Sequence, residues 1–252
     1  MMKAIILAGG AGSRLYPLTL ISSKQLQPVY DKPMIYYPLT VLIASGIREL
    51  CLITTPGELS KFKTLLGDGT QWGISIVYRI QARPEGIAQG LLIAADFIGS
   101  DDVILMHGDN IFSGGDDFPR AVSSFDGGAL LFAYHVKDPE RYGVVEFDRD
   151  GNAISLEEKP SQGRLQVRRL SRGFAWLDAG TSTALHEASA YIEAIERRQG
   201  IKIGCPEEAA LIRGFIDIRA FEMLIAAMPN CEYSQYLRSV ATEWHRLRGG
   251  PV

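Results

Sequence analysis

Cysteine is scarce in this chain: Cys51, Cys205 and Cys231 are the only three in 252 residues. Widely separated and odd in number, they fit a reducing compartment better than a disulfide framework, each thiol being expected to act as a small buried apolar residue. No apolar run approaches the length of a membrane span. The start, Met1-Met2-Lys3 followed by a five-residue apolar run, is too short for the core of a secretory signal, so a cytoplasmic setting is expected. Charge excess is also missing. Lys and Arg number 26 against 29 Asp and Glu, a net −3, with the charges dispersed. The sequence therefore offers no general attraction for nucleic acid or an anionic membrane, and any affinity for phosphate has to be local. His107, His135, His186 and His245 lack metal-ligand spacing, and no Ser/His/Asp arrangement is suggested. There is no internal repeat or low-complexity segment.

What the chain does have is a glycine-rich turn at the end of an apolar run. Leu7-Ala8-Gly9-Gly10-Ala11-Gly12-Ser13-Arg14-Leu15 precedes Ser23-Lys24-Gln25-Leu26. Backbone amides at Gly9, Gly10, Gly12 and Ser13 can approach an anion closely, and Arg14 and Lys24 bring positive charge to the same place, which suits a polyphosphate. A Walker A loop needs its lysine directly after the last glycine, and Lys24 lies well beyond. A dinucleotide fingerprint needs a third small residue to close Gly-x-Gly-x-x-Gly, whereas Gly12 is followed by Ser13, Arg14 and Leu15.

With 46% of residues hydrophobic, the chain can bury a full core as one large domain or two joined lobes. Strands are expected over 3–8, 50–54, 74–78, 102–106 and 129–136, alternating with helices over 34–45, 59–66, 87–97 and 118–124. That is the rhythm of a doubly wound α/β sheet, whose ligands bind beyond the carboxyl ends of the strands. The loop after Ala8 and the Gly108-Asp109-Asn110 turn should then be neighbours. A hairpin is expected from 142–147 and 153–159 around Asp148-Arg149-Asp150-Gly151-Asn152, followed by β-rich segments at 165–170 and 174–177. A long helix over 183–199, with Leu185, Ala188, Ile192 and Ile195 on its apolar stripe and Gly200 as its cap, opens a helical tail of 206–212, 219–227 and 233–247. The expectation is one α/β domain over 1–252 with a mixed, mainly parallel, Rossmann-like sheet: a nucleotide half (1–136), a β-rich sugar and metal side (137–180) and a helical C-terminal part (181–252).

Gly9 to Leu15, Ser23-Lys-Gln-Leu26, Pro28-Val-Tyr-Asp-Lys-Pro-Met-Ile-Tyr-Tyr-Pro38, Gly108-Asp-Asn-Ile-Phe112, Tyr142-Gly-Val-Val-Glu-Phe147, Glu157-Glu-Lys-Pro160 and Gly173-Phe-Ala-Trp-Leu-Asp178 closely resemble the sugar nucleotidyltransferase family, and within it the glucose-1-phosphate thymidylyltransferases. The resemblance implies attack of glucose 1-phosphate on the α-phosphorus of dTTP, giving dTDP-glucose for dTDP-rhamnose and polysaccharide synthesis, with no protein nucleophile. It implies that Arg14 and Lys24 hold the triphosphate, that Gln25 and Gln81 contact the base, and that the amides of Gly9 and Gly86 line the pocket. Asp109 and Asp178 match the carboxylates that hold Mg²⁺. Taken alone, Asp109 reads as a strand-end turn residue and Asp178 as a helix cap, and it is the flanking matches that favour the metal reading. Glu158 and Lys159 match the sugar side, Lys159 meeting the attacking phosphate, with Gly143 approaching the sugar and Trp176 stacking over it. A homotetramer with feedback by a dTDP-sugar is also implied, with no nucleic-acid or membrane partner.

The chain departs from that family between Glu-Glu-Lys-Pro160 and Gly173. Members carry about one further strand, two short helices and their loops where this chain has only Ser161-Gln162-Gly163-Arg164 before Leu165. The missing segment, placed near residues 162 and 163, supplies part of the sugar pocket in relatives. The sequence therefore leaves open a nucleotide-binding relic or regulatory subunit with an incomplete sugar site, and a UTP-using enzyme, since glutamine contacts alone rank thymine over uracil only weakly.

Overall fold

The computed structural model describes residues 2–10, 12–83, 85–134, 145–147, 153–156, 165–170 and 174–247. Strand β1 (Met2–Ala8) is followed by the short pair β2 (Pro28–Val29) and β3 (Lys32–Pro33), helix α1 (Tyr36–Ala44), β4 (Glu49–Thr54), α2 (Leu59–Leu66), β5 (Ser75–Ile80), α3 (Ala88–Ile93), α4 (Ala95–Ile98), β6 (Asp102–His107) and β7 (Asn110–Ser113). The main sheet has the order β5-β4-β1-β6 and is parallel throughout. The chain winds outward from β1 through β4 to β5, then returns to the other side of β1 with β6. The winding reverses between β1 and β6, the place where a doubly wound sheet opens a crevice at its carboxyl ends. The α/β class with a parallel, Rossmann-like sheet is what the alternation of short apolar runs and helices implies.

Burial explains the strands. Within β1, residues 4–6 and Ala8 are buried, and all of 50–54 is buried in β4, as expected for strands covered on both faces. One core gathers Ile5, Cys51, Ile53 and Ala94, with Leu7, Val77 and Phe97 packed against it. A single helix is expected over 87–97, but the structure divides it at the fully buried Ala94 (φ −99°, ψ 12°). The bend keeps Ala94 in the core while presenting the last carbonyls of α4 to Lys3, whose ammonium donates to Phe97 O at 2.7 Å.

Two compact units are distinguishable: residues 1–112 with 177–252, and residues 113–176. The second unit holds α5 (Asp117–Ser123), β8 (Ala129–Ala133), β9 (Val145–Phe147), β10 (Ala153–Leu156) and β11 (Leu165–Arg169). As expected, 145–147 and 153–156 pair antiparallel; the intervening turn lies outside the described residues. Segment 165–169 pairs in parallel with β8, and β12 (Ala175–Asp178) pairs with β7.

The first unit continues with α6 (Ser182–Gln199), α7 (Pro206–Ile212), α8 (Ile218–Ala227) and α9 (Glu232–Leu247). Thr181 caps α6 by accepting from Ala184 N, and Gly200 closes it at φ 71°. Its buried stripe is Leu185, Ala188, Ile192 and Glu196, not Ile195. The burial of Glu196 has an electrostatic cause. Glu196 accepts from Lys32 Nζ at 2.9 Å and from Lys202 Nζ at 3.2 Å, so the carboxylate is buried with two counter-charges. Cys51 and Cys205 are buried, but Cys231 is exposed on the turn before α9, against the expectation for all three. No helix of the described residues is long and apolar enough to cross a membrane.

Candidate active site

The glycine turn leaves β1 at the reversal of the sheet. Gly10 and Gly12 adopt φ values of 102° and 56°, open to glycine at little cost. A Cβ at Gly12 would also meet Thr19 Cγ2 at 2.7 Å. A short 3₁₀ turn, Ser13–Leu15, follows, with Leu15 fully buried beside Met34, Tyr37 and Ile111. That anchor leaves Arg14 exposed on the solvent side of the turn.

A second 3₁₀ turn, Lys24–Leu26, buries both Lys24 and Gln25. Its backbone is held by Ile35 N donating to Gln25 O at 2.9 Å. Lys24 Nζ donates to Asp109 Oδ2 at 2.7 Å. Asp109 stands one residue beyond Gly108, whose N–H donates to Leu7 O at 2.8 Å. A Cβ on Gly108 would lie 3.0 Å from Leu7 O and 3.1 Å from Gln25 Cγ. This close packing brings the loops after β1 and β6 together with the Lys24 turn.

These segments enclose a cleft of about 260 Å³ lined by Gly9, Gly10, Gly12, Ser13, Arg14, Leu15, Lys24, Gln25, Asp109 and Gly180. Gln25 Nε2 donates weakly to Gly9 O at 3.4 Å, while its buried Oε1 has no partner among the described residues. A buried acceptor left in this state is costly unless a ligand donor meets it. Gln81, 6% exposed at the end of β5, donates from its backbone to Thr54 O at 2.8 Å. Its Oε1 lies close over Gly9, 2.6 Å from where a Cβ would stand.

Of the residues expected at the site, Gly9, Gly10, Gly12, Ser13, Arg14, Lys24, Gln25 and Asp109 line this one cleft, and Gln81 adjoins it at Gly9. Gly86 occupies a left-handed turn (φ 99°) before α3. Asp178 ends β12, two residues before the cleft-lining Gly180. Trp176 belongs to the second unit, where its ring meets Tyr134 edge-on at 6.4 Å. Gly143, Glu158 and Lys159 lie outside the described residues. Sequence reasoning missed Leu15 as the anchor of Arg14 and Gly180 as a wall; the apolar residue directly after Arg14 is the signal for the first.

A glycine turn, two cations and a carboxylate at a sheet reversal form an anion site able to hold a nucleotide. The sequence pattern of the family described as Nucleotidyl transferase matches residues 3–168. The chain belongs to this family. Nucleotidyl transferases similar to it include the glucose-1-phosphate thymidylyltransferase of Xanthomonas campestris pv. campestris strain B100, 44% identical over 285 positions that cover 95% of this chain and 97% of the relative. The enzyme of that name from Neisseria meningitidis serogroup A is 43% identical, covering 94% and 98%. Among solved structures, a Bacillus anthracis protein assigned to the glucose-1-phosphate thymidylyltransferases and crystallised with sucrose superposes with a TM-score of 0.68 at 32% identity, over 76% of this chain and 95% of that one. The Xanthomonas alignment spans 285 positions but takes in 95% of a 252-residue chain, so roughly 45 of its positions face no residue here. The chain is a nucleotidyltransferase.

Proposed function

We propose that this nucleotidyltransferase transfers a thymidylyl group from dTTP to α-D-glucose 1-phosphate, releasing dTDP-glucose and pyrophosphate. The observation that carries the reading is the convergence of the glycine turn, Arg14, Lys24, Gln25 and Asp109 on one cleft in a chain 44% identical to thymidylyltransferases over nearly its whole length. In-line phosphoryl displacement asks a protein for positioning and charge stabilisation, with no covalent step of its own.

The residues divide that work. Backbone N–H groups of the turn suit the triphosphate oxygens, and the solvent-facing Arg14 suits the charge that moves onto the leaving pyrophosphate. Lys24, paired with Asp109 at 2.7 Å, carries a charge that both phosphate and carboxylate can share. Gln25 Oε1 supplies an acceptor for a ligand N–H or O–H. Glu158, Gly143 and Trp176 belong to the sugar side of this reading, with Lys159 toward the attacking phosphate.

The donor set fits Mg²⁺. Asp109 offers a hard oxygen at the cleft and Asp178 is the second carboxylate of the reading, while the described residues contain no cluster of three His, Cys, Asp or Glu. So sparse a set is usual for Mg²⁺, which completes its shell with phosphate oxygens and water. Bound there, it would supply charge neutralisation at the reacting phosphate. Assembly as a homotetramer, feedback by a dTDP-sugar and a cytoplasmic setting extend the reading by family resemblance.

One observation favours a second reading. The roughly 45 unmatched positions suit a nucleotide-binding protein whose sugar site is incomplete. Pyrophosphate release from dTTP with glucose 1-phosphate tests the first reading, and its absence in folded protein overturns it. Calorimetry separates the two: dTTP binding without glucose 1-phosphate binding supports the second, and productive binding of both refutes it.

A further inference from the structure

We infer that Gln89, a residue of α3 outside the cleft, is a positioning residue that fixes which end of the Gln81 amide faces the nucleotide base, and thereby selects a pyrimidine with an N3–H over one with a bare N3. The inference rests on the nucleotide reading above and adds to it a determinant of base choice.

A single backbone group sets the chain of constraints. The N–H of Glu85 donates at 3.0 Å to the Gln89 amide. A backbone N–H can only donate, so the Gln89 atom that meets it is the carbonyl Oε1. That same oxygen lies 2.6 Å from the Gln81 amide, which must therefore turn its Nε2 toward it. The other end of the Gln89 amide agrees, since Nε2 donates to Glu85 Oε2 at 2.9 Å. Reversing Gln81 would set two carbonyl oxygens against each other at hydrogen-bond distance, with Gln81 buried and its backbone N–H already tied to Thr54 O.

With Nε2 committed to Gln89, the acceptor Oε1 is the end left to face Gly9 and the cleft. No donor engages that oxygen among the described residues. An acceptor there meets the N3–H of thymine or uracil. Cytosine would present a lone pair at N3, leaving two acceptors opposed, a mismatch that polar sites reject strongly. The loop Glu85-Gly86, with Gly86 at φ 99°, brings the Glu85 N–H to Gln89 and so belongs to the same device.

Calorimetric titration of the full chain with dTTP and with dCTP tests this independently of turnover. The natural protein is expected to prefer dTTP. Gln89→Met keeps the length of the side chain but removes its acceptor, freeing the Gln81 amide to reverse, and the preference should fall at least about tenfold with dCTP binding tightened. Exchanging the two side chains, Glu85→Gln with Gln89→Glu, preserves both the acceptor and the charge of the pair. It should hold the preference within about threefold of the natural protein. An unchanged dTTP to dCTP ratio in folded Gln89→Met overturns the inference, as does loss of the ratio in the exchanged variant or a natural protein that does not distinguish the two nucleotides. If dTTP is preferred as expected but no pyrophosphate is released with glucose 1-phosphate, the catalytic reading fails and the positioning role of Gln89 stands.

Discussion

Lys24 Nζ and Asp109 Oδ2 stand 2.7 Å apart, joining the turn that follows the glycine loop to the turn after β6. The pair keeps a buried lysine and a carboxylate of the cleft mutually neutral, so that neither is an uncompensated charge. Lys24→Met is therefore expected to affect the structure as well as the chemistry. It should weaken dTTP binding and also lower the midpoint of urea unfolding, because Asp109 loses its counter-charge. Arg14→Ala should differ: Arg14 is exposed and is anchored only through its neighbour Leu15. Turnover should fall about a hundredfold, as for loss of one transition-state charge partner, while the unfolding midpoint stays within error. Equal losses of stability in the two variants would contradict the division.

The buried ionic cluster of Asp31, Lys32, Glu196 and Lys202 carries a second expectation. Lys32, its side chain 2% exposed, pairs with Asp31 at 2.5 Å and Glu196 at 2.9 Å, and Lys202 pairs with the same two carboxylates. Lys32→Met should cost about 3 kcal/mol by denaturant unfolding, since removing one member leaves buried charge undercompensated.

The cluster also sets a pH dependence. Burial pushes the Asp31 carboxyl upward, but hydrogen bonds and charge from Lys202 and Lys32 outweigh it and hold the group below its usual range. A lowered folded value means stability that is complete above the unfolded value of about 3.9 and is lost as pH falls through the folded one. For Lys202, burial opposes the charge, yet Asp31 and Glu196 raise its value; its contribution is complete below about 10.4 and is lost as pH rises through the folded value. Stability measured against pH should fall at both ends, and Asp31→Asn should flatten both limbs.

How much of this was legible beforehand follows from where the chemistry is written. Gly9 to Lys24 and Asp109 are contiguous motifs at strand ends, and the rule that a doubly wound sheet opens where its winding reverses brings them together without coordinates. Glu196 defeats the helical stripe because its burial depends on Lys32, distant in sequence by more than 160 positions. Gln89 has no motif at all; its role depends on a turn that aims one N–H at its carbonyl. Cys231 is exposed because its turn is held by Ser234, to which Cys231 N donates at 3.1 Å, a local contact that composition cannot show.

The thiols supply a direct check of that contrast. Burial pushes the Cys51 thiol up to about 11 and raises Cys205 as well, its neighbour Glu207 adding to the effect. Hydrogen bonding from the backbone near Ser234 lowers Cys231 instead. The thiolate is the reactive form, so a charged alkylating reagent near neutral pH should modify Cys231 alone in native protein and all three cysteines in denaturant. Rapid native labelling of Cys51 or Cys205 would show that their surroundings are open.

Two glycines of the site should respond differently to the same added methyl group. At Gly9 a Cβ would fall 2.6 Å from Gln81 Oε1 and touch nothing else closer than 3.7 Å. The obstacle is the far end of a side chain, so Gly9→Ala should fold normally while moving the amide that faces the base, and dTTP binding should weaken with little change in thermal midpoint. At Gly108 the Cβ would meet Leu7 O, Gln25 Cγ and Ile35 Cδ1 at 3.0–3.1 Å. The first of these is backbone of the central strand and already accepts the Gly108 N–H. Gly108→Ala can therefore be relieved only by moving Asp109 away from Lys24 or displacing the strand end, and overpacking of this kind costs about 1–3 kcal/mol. Unfolding and dTTP titration of the two variants measure both quantities. Gly9→Ala should lose affinity with stability retained, whereas Gly108→Ala should lose both, and the reverse pattern would show that Gln81, not the turn after β6, is the rigid element of the cleft.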